Sequence, residues 1–160
     1  PLHMKKVQKN MKQLQVSAIK DGTVIDHIDS KSTFKVASIL NIHEEGKLVL
    51  VGMNLSSRLL GKKGIIKIEG KVLTQEEVNK IALIAPNATL NIIKDFEAVE
   101  KRPVSLPEEL VGIVKCFNPN CISNHERIPT RLKVVKKAPP VRLCCHYCER
   151  VMEGEDIELL

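Results

Sequence analysis

The chain has 160 residues, 43% of them hydrophobic, and a formal net charge of +6, which is material for one domain or two small ones. It has no apolar run of the about 18 residues that a membrane helix needs. Its basic amino terminus lacks an apolar signal core, so the expectation is a cytoplasmic protein off the membrane.

Residues 1–3, ahead of Met4, read as a leftover expression tail. "LQVSAIK" (14–20) is predicted as a strand. In "DGTVIDHID" (21–29), Val24, Ile25 and Ile28 suit a strand. Asp26 and His27 interrupt them beside the turn former Gly22. They read either as a strand end facing water or as two separate contacts to one ligand in an irregular segment. As neighbours on a regular strand they would point to opposite faces, which disfavours a catalytic pair.

Residues 31–42 carry Phe34, Ala37, Ile39 and Leu40 at roughly helical spacing, with Gly46 as a stop. "KLVLVGMNL" (47–55) and "GIIKIEGK" (64–71) read as strands. Thr74 opens a helix with Glu77 in a capping box. Val78, Ile81, Ala82 and Ala85 form its buried face, and Pro86 ends it. "ATLNIIKDFEAVEK" (88–101) supplies one long strand or two short ones. The order gives a ferredoxin-like βαββαβ unit, an antiparallel sheet with two helices, over residues 12–103. "KRPVSLPEEL" (101–110), with Pro103 and Pro107, is a linker to a second unit at 110–160.

All five cysteines fall in that second unit. Cys116 and Cys121 form Cys-x4-Cys, and after a 23-residue gap Cys145 and Cys148 form Cys-x2-Cys. Four thiolates close a tetrahedral Zn²⁺ site with no position left for water, so the site is structural. Iron also accepts four thiolates. Cys144 with Cys148 is a tolerable alternative pair, and the choice of Cys145 rests on Cys-x2-Cys being the commoner spacing. A unit of about fifty residues needs such a staple.

No phosphate loop, nucleophile elbow or zinc-protease motif is present. Positive charge suits nucleic acid, nucleotides or an acidic protein. Lys133, Lys136, Lys137 and Arg142 form a basic patch, so a zinc-ribbon nucleic-acid binder is the rival reading. The scarcity of aromatics, limited to Phe34, Phe96, Phe117 and Tyr147, counts against stacking platforms for single strands.

Assembled, "GTVIDHI" (22–28), "KIE" (67–69), "LIAPNATLNII" (83–93), "RPVSLPEE" (102–109), "NPNCIS" (118–123) and "CHYCE" (145–149) span both units in order. On these motifs the chain resembles the regulatory chains of aspartate carbamoyltransferase. The resemblance covers essentially everything from Leu14 onward. It implies an α+β protein: a ferredoxin-like allosteric domain, then a small, mostly β zinc domain with no catalytic activity of its own. It implies regulatory dimers that join catalytic chains in pyrimidine biosynthesis, with CTP and ATP as effectors and neither nucleic acid nor membrane as partner. By resemblance Ala18 and Ile19 present backbone groups to the base, and Val24 packs beside it. Asp26 contacts the sugar or orders the pocket, His27 faces the phosphates, and Lys67 reaches ribose or base. Asn91 and Ile93 line the pocket, and Lys101 pairs with phosphate. Asn118, Asn120 and Glu149 meet the catalytic chain. Ser17 and Phe96 depart from the acidic and aromatic-hydroxyl residues frequent at those positions, which unsettles base preference.

Overall fold

A computed structural model describes residues 16–42 and 46–160. Residues 1–3 and Leu14–Gln15 of the predicted first strand lie outside the described residues. Among these residues no helix is long and apolar enough to cross a membrane. The chain divides into two compact units: one takes residues up to Leu73 with Asn87–Pro103, the other Thr74–Pro86 with Val104–Leu160.

The first unit is built on strands β1 (Gly22–Asp29), β2 (Val49–Ser57), β3 (Gly61–Glu69), β4 (Thr89–Lys94) and β5 (Glu97–Pro103). They form one sheet in the order β2-β3-β1-β4-β5, every neighbouring pair antiparallel. Helix α1 (Thr33–Ile39) follows β1 after a 3-10 turn at Ser30–Ser32, and helix α2 (Gln75–Ile84) follows β3. The succession β1-α1-β2-β3-α2-β4 along the chain, with that sheet order, is the expected ferredoxin-like arrangement, although Thr74–Pro86, which carries α2, divides off into the other unit. β5 is the second of the two short strands allowed in 88–101, folded back through a tight turn at Asp95 and Phe96, both at positive φ.

Two expectations are corrected. Residues 16–20 are not a strand. The carbonyls of Val16 and Ser17 accept hydrogen bonds from the Lys67 ammonium, at 3.3 and 2.9 Å, in place of a neighbouring strand. The first strand is instead "GTVIDHID", which is neither strand end nor turn: Thr23, Val24, Ile25 and Ile28 are buried along it. Its irregularity is a β-bulge. Ile25 faces Ile66 and Ile28 faces Gly64, so β1 spends one residue more than β3 over the same stretch, and His27 takes φ of 54°.

The helix predicted over 31–42 is shorter, since only Thr33–Ile39 is α-helical. The Thr74 prediction holds: its hydroxyl accepts from the Glu77 amide while the Glu77 carboxylate accepts from the Thr74 amide. Val78, Ile81 and Ala82 are buried.

The second unit carries β6 (Glu109–Val111), β7 (Val114–Lys115), β8 (Arg131–Lys136), β9 (Arg142–Cys145), β10 (Val151–Glu153) and β11 (Glu158–Leu159). A four-stranded sheet runs β10-β9-β8-β6, and β11 pairs with β7. Leu110, Leu132, Leu143 and Met152 supply its fully buried centre.

Candidate metal centre and effector face

The second unit brings four thiols to one point. The sulfurs of Cys116, Cys121, Cys145 and Cys148 all lie within 4.8 Å of one another. Cys116–Cys148 and Cys121–Cys145 are each 3.7 Å apart. A metal–sulfur bond of about 2.3 Å at tetrahedral angles sets sulfurs about 3.8 Å apart, so the cage fits a tetrahedral ion. Cys144 stays out of it. Adjacent residues of a strand point to opposite faces: Cys145 is buried, while the Cys144 sulfur lies 3.5 Å from the Glu149 carbonyl.

The loop that presents the first pair is tied internally. Buried Asn118 accepts from the Asn120 amide through its side chain and from the Cys121 amide through its carbonyl. The Asn124 side-chain amide donates to the carbonyls of Cys116 and Asn118, at 2.9 and 2.7 Å. Glu149 turns the chain after Cys148 at φ of 61°.

Burial pushes the Cys116 thiol far above its ordinary value and raises Cys145 as well. Burial acts on the other pair too, but is outweighed. The Ser123 hydroxyl and amide bring Cys121 down. The Arg150 amide, Asn118 and neighbouring thiols bring Cys148 down to about 7. Two members of the set therefore release their protons more readily than Cys116 and Cys145, and a bound cation would favour the thiolate form of all four.

Of the residues expected to meet a partner, Asn118 is buried while Asn120 and Glu149 are exposed. Glu149 lines a groove of about 450 Å³ with Glu108, Glu109, Lys133 and His146. Phe117 and Pro119, flanking Asn118, line another of about 530 Å³. The basic patch on β8 and β9 is partly neutralised: Lys137 pairs with Glu108 at 2.7 Å and Arg142 with Glu153 at 3.3 Å.

In the first unit, register gathers the residues expected to contact an effector. One row crosses all five strands: Leu50, Lys67, Val24, Asn91 and Lys101 face one another in turn. Residues two apart on a strand share a face, so Ile93 and Asp26 stand on the same side. Ile19 and Val24 pack with Ile65, and Val16, Leu50, Leu55 and Ile93 close around them. This gives an apolar floor on the sheet face with Ala18, exposed, beside it. Burial lowers Lys67 below an ordinary lysine, with Asp26 pulling the other way.

At the bulge, the Lys63 ammonium lies 2.9 Å from the Asp26 carboxylate. The His27 amide donates to Asp26, at 2.7 Å, and His27 Nδ1 is hydrogen-bonded to the Thr89 hydroxyl at 2.9 Å. Lys63 was missed in the sequence because a lysine in "GKKG" reads as a turn charge. Only pairing of Lys63 with both Asp29 and Leu55 places it beside the bulge. Phe96 is exposed, and its amide donates to the Lys20 carbonyl at 2.9 Å, tying the β4–β5 turn to the segment carrying Ala18 and Ile19.

Residues 14–105 match the family described as the aspartate carbamoyltransferase regulatory chain, allosteric domain. Residues 108–158 match that chain's metal binding domain. An aspartate carbamoyltransferase regulatory chain of Thermococcus sibiricus is 58% identical over 143 residues, covering 89% of this chain and 94% of the relative. One from Pyrococcus abyssi is 52% identical over 149 residues, 92% of this chain and 97% of the relative. One from Porphyromonas gingivalis is 51% identical over 148 residues, with the same coverage, 92% and 97%. The chain belongs to the family of aspartate carbamoyltransferase regulatory chains, with an allosteric domain followed by a metal-binding domain.

Proposed function

We propose that the chain is the non-catalytic subunit through which CTP and ATP control aspartate carbamoyltransferase in the cytoplasm. Residues 12–103 bind the nucleotide, and residues 110–160 hold one structural Zn²⁺ and dock on the catalytic chain. Two such chains pair as a regulatory dimer. The reading is carried by the cross-sheet row that joins Lys67, Val24, Asn91 and Lys101 on the face that also holds Asp26 and Ile93.

A nucleoside triphosphate needs apolar walls and backbone groups for its base and cationic donors for its phosphates. Val24, Ile93 and Ile19 supply the walls, and Ala18 and Ile19 the backbone groups. Lys67 serves the ribose end, and His27 and Lys101 the phosphates. In the second unit, four convergent thiols and a closed cage suit Zn²⁺, which fixes the loop bearing Asn118 and Asn120 and the turn at Glu149 against the catalytic chain. Nucleotide that binds two quaternary states unequally would shift aspartate affinity by about 1–3 kcal/mol.

Calorimetric titration of the zinc-loaded chain with CTP and with ATP tests the effector site. His27→Ala and Lys101→Ala are each expected to weaken binding about tenfold, the loss of one charge-assisted contact. Absence of nucleotide binding, or binding indifferent to both substitutions, would remove the proposal. Ser17 and Phe96 sit at the base end, so the ratio of CTP to ATP affinity is the quantity most specific to this chain.

A further inference from the structure

The sheet carries two bulges side by side, and one hydroxyl joins them. On β1 the extra residue falls between Ile25 and Ile28, and on β2 it falls between Gly52 and Leu55. Both lie opposite the same stretch of β3, Lys63–Ile66, from its two sides. Each holds a non-glycine residue at positive φ, His27 at 54° and Asn54 at 58°. Such residues are uncommon and persist only where surroundings impose them.

The surroundings here are specific. After β1 the chain passes through the turn Ser30–Ser32, which packs against both β3 and β2. Buried Ser30 accepts a hydrogen bond from the Asn54 amide, at 2.9 Å, and donates to Asn54 Oδ1, at 3.0 Å. The Thr33 hydroxyl donates to the Ser30 carbonyl at 2.9 Å. Gly64 makes this packing possible, because a Cβ there would run into the Thr33 hydroxyl. Side chains alternate along a strand, so this turn lies on the face opposite Ile65, away from the effector floor.

Lys63 occupies the rung between the bulges, facing Asp29 on one side and Leu55 on the other. Those residues adjoin Ser30 and Asn54. The pair therefore brackets the strand segment that presents Lys63, and the bulge that presents Asp26 and His27, from behind the sheet.

We infer that Ser30 and Asn54 form a positioning latch that sets the phosphate-reading end of the effector face. The inference rests on the reading of that face as a nucleotide site. The latch touches no ligand. It fixes where the His27 imidazole and the Asp26–Lys63 pair stand, while the base end, around Ile19, Val24 and Ile93, is held by its own apolar cluster, which the latch adjoins only at Leu55. Loss of the latch is then expected to cost phosphate recognition and spare base recognition.

The test is titration of the full zinc-loaded chain with CTP and with cytidine, for wild type, Ser30→Ala and Asn54→Gly. Ser30→Ala removes both latch bonds and is expected to weaken CTP about tenfold with cytidine changed less than about twofold. Asn54→Gly keeps the amide donor and tolerates positive φ, so it guards against a folding defect; it is expected to weaken CTP about threefold. A CTP-to-cytidine ratio unchanged in both variants, or both ligands weakened equally with the melting temperature, overturns the latch and leaves the site standing. A wild-type chain that binds neither ligand overturns the site itself, and the latch with it.

Discussion

The two units bring their candidate site residues together by different routes, and the contrast shows which constraints are local. In the metal-binding unit the site is made by chain-near pairs: Cys116 and Cys121 bracket one short loop, Cys145 and Cys148 another. An ion would join them and stabilise a small core, with metal-coupled folding free energy of roughly 10 kcal/mol or more in modules of this kind. In the first unit no single segment holds the proposed effector residues. They meet only when β1, β3, β4 and β5 align in register, and that alignment is stabilised by the sheet's buried face, with Ile25, Ile28, Ile66, Ile68 and Leu90 fully buried.

That contrast can be broken first at the metal. Cys145→Ala should abolish metal retention and unfold the second unit, measured by metal content and by loss of amide protection in β8 and β9. Cys144→Ala should leave metal content unchanged and stability within about 0.5 kcal/mol, as expected for a side chain outside the cage. Equal effects of the two would reverse the ligand assignment.

A smaller effect is expected where the Ser30–Ser32 turn packs on the sheet. Gly64→Ala drives a methyl into the Thr33 hydroxyl and should cost about 2–3 kcal/mol of stability in urea. The damage should concentrate in β1–β3 and leave metal content intact. A neutral result would mean the Ser30–Ser32 turn is not held as tightly as its contacts require.

The smallest effect concerns the segment at residues 16–20. Lys67→Met removes the donors to the Val16 and Ser17 carbonyls and should cost about 1 kcal/mol. Hydrogen exchange of the Phe96 amide, which donates to the Lys20 carbonyl, should speed up as residues 16–20 loosen. Unchanged exchange there would detach Lys67 from the ordering of that segment.

Legibility in the sequence follows the same division. The α2 capping box and the cysteine pairs are local signals, and the pleat of β9 then decides between Cys144 and Cys145. The first strand falls elsewhere although "LQVSAIK" has strand-like residues: the carbonyls of Val16 and Ser17 bond a lysine about 50 residues away instead of a neighbouring strand. The bulge at His27 carries no glycine to announce it, so "IDHI" reads as an interruption although the strand continues through it. Lys63 and the Ser30–Asn54 pair depend on two registers at once, and no spacing along the chain encodes them. Apart from Asp26 and His27, the candidate effector residues were available only through the family resemblance, because each lysine taken singly is an ordinary surface charge.

The central claim, that this chain controls a catalytic partner through a metal-held surface, is tested most directly by sedimentation velocity. The zinc-loaded chain is mixed with the catalytic trimer of aspartate carbamoyltransferase from the same organism, with and without chelator. The account predicts a larger complex that forms with metal and is lost on chelation. A folded, metal-loaded chain that sediments as it does alone would contradict it.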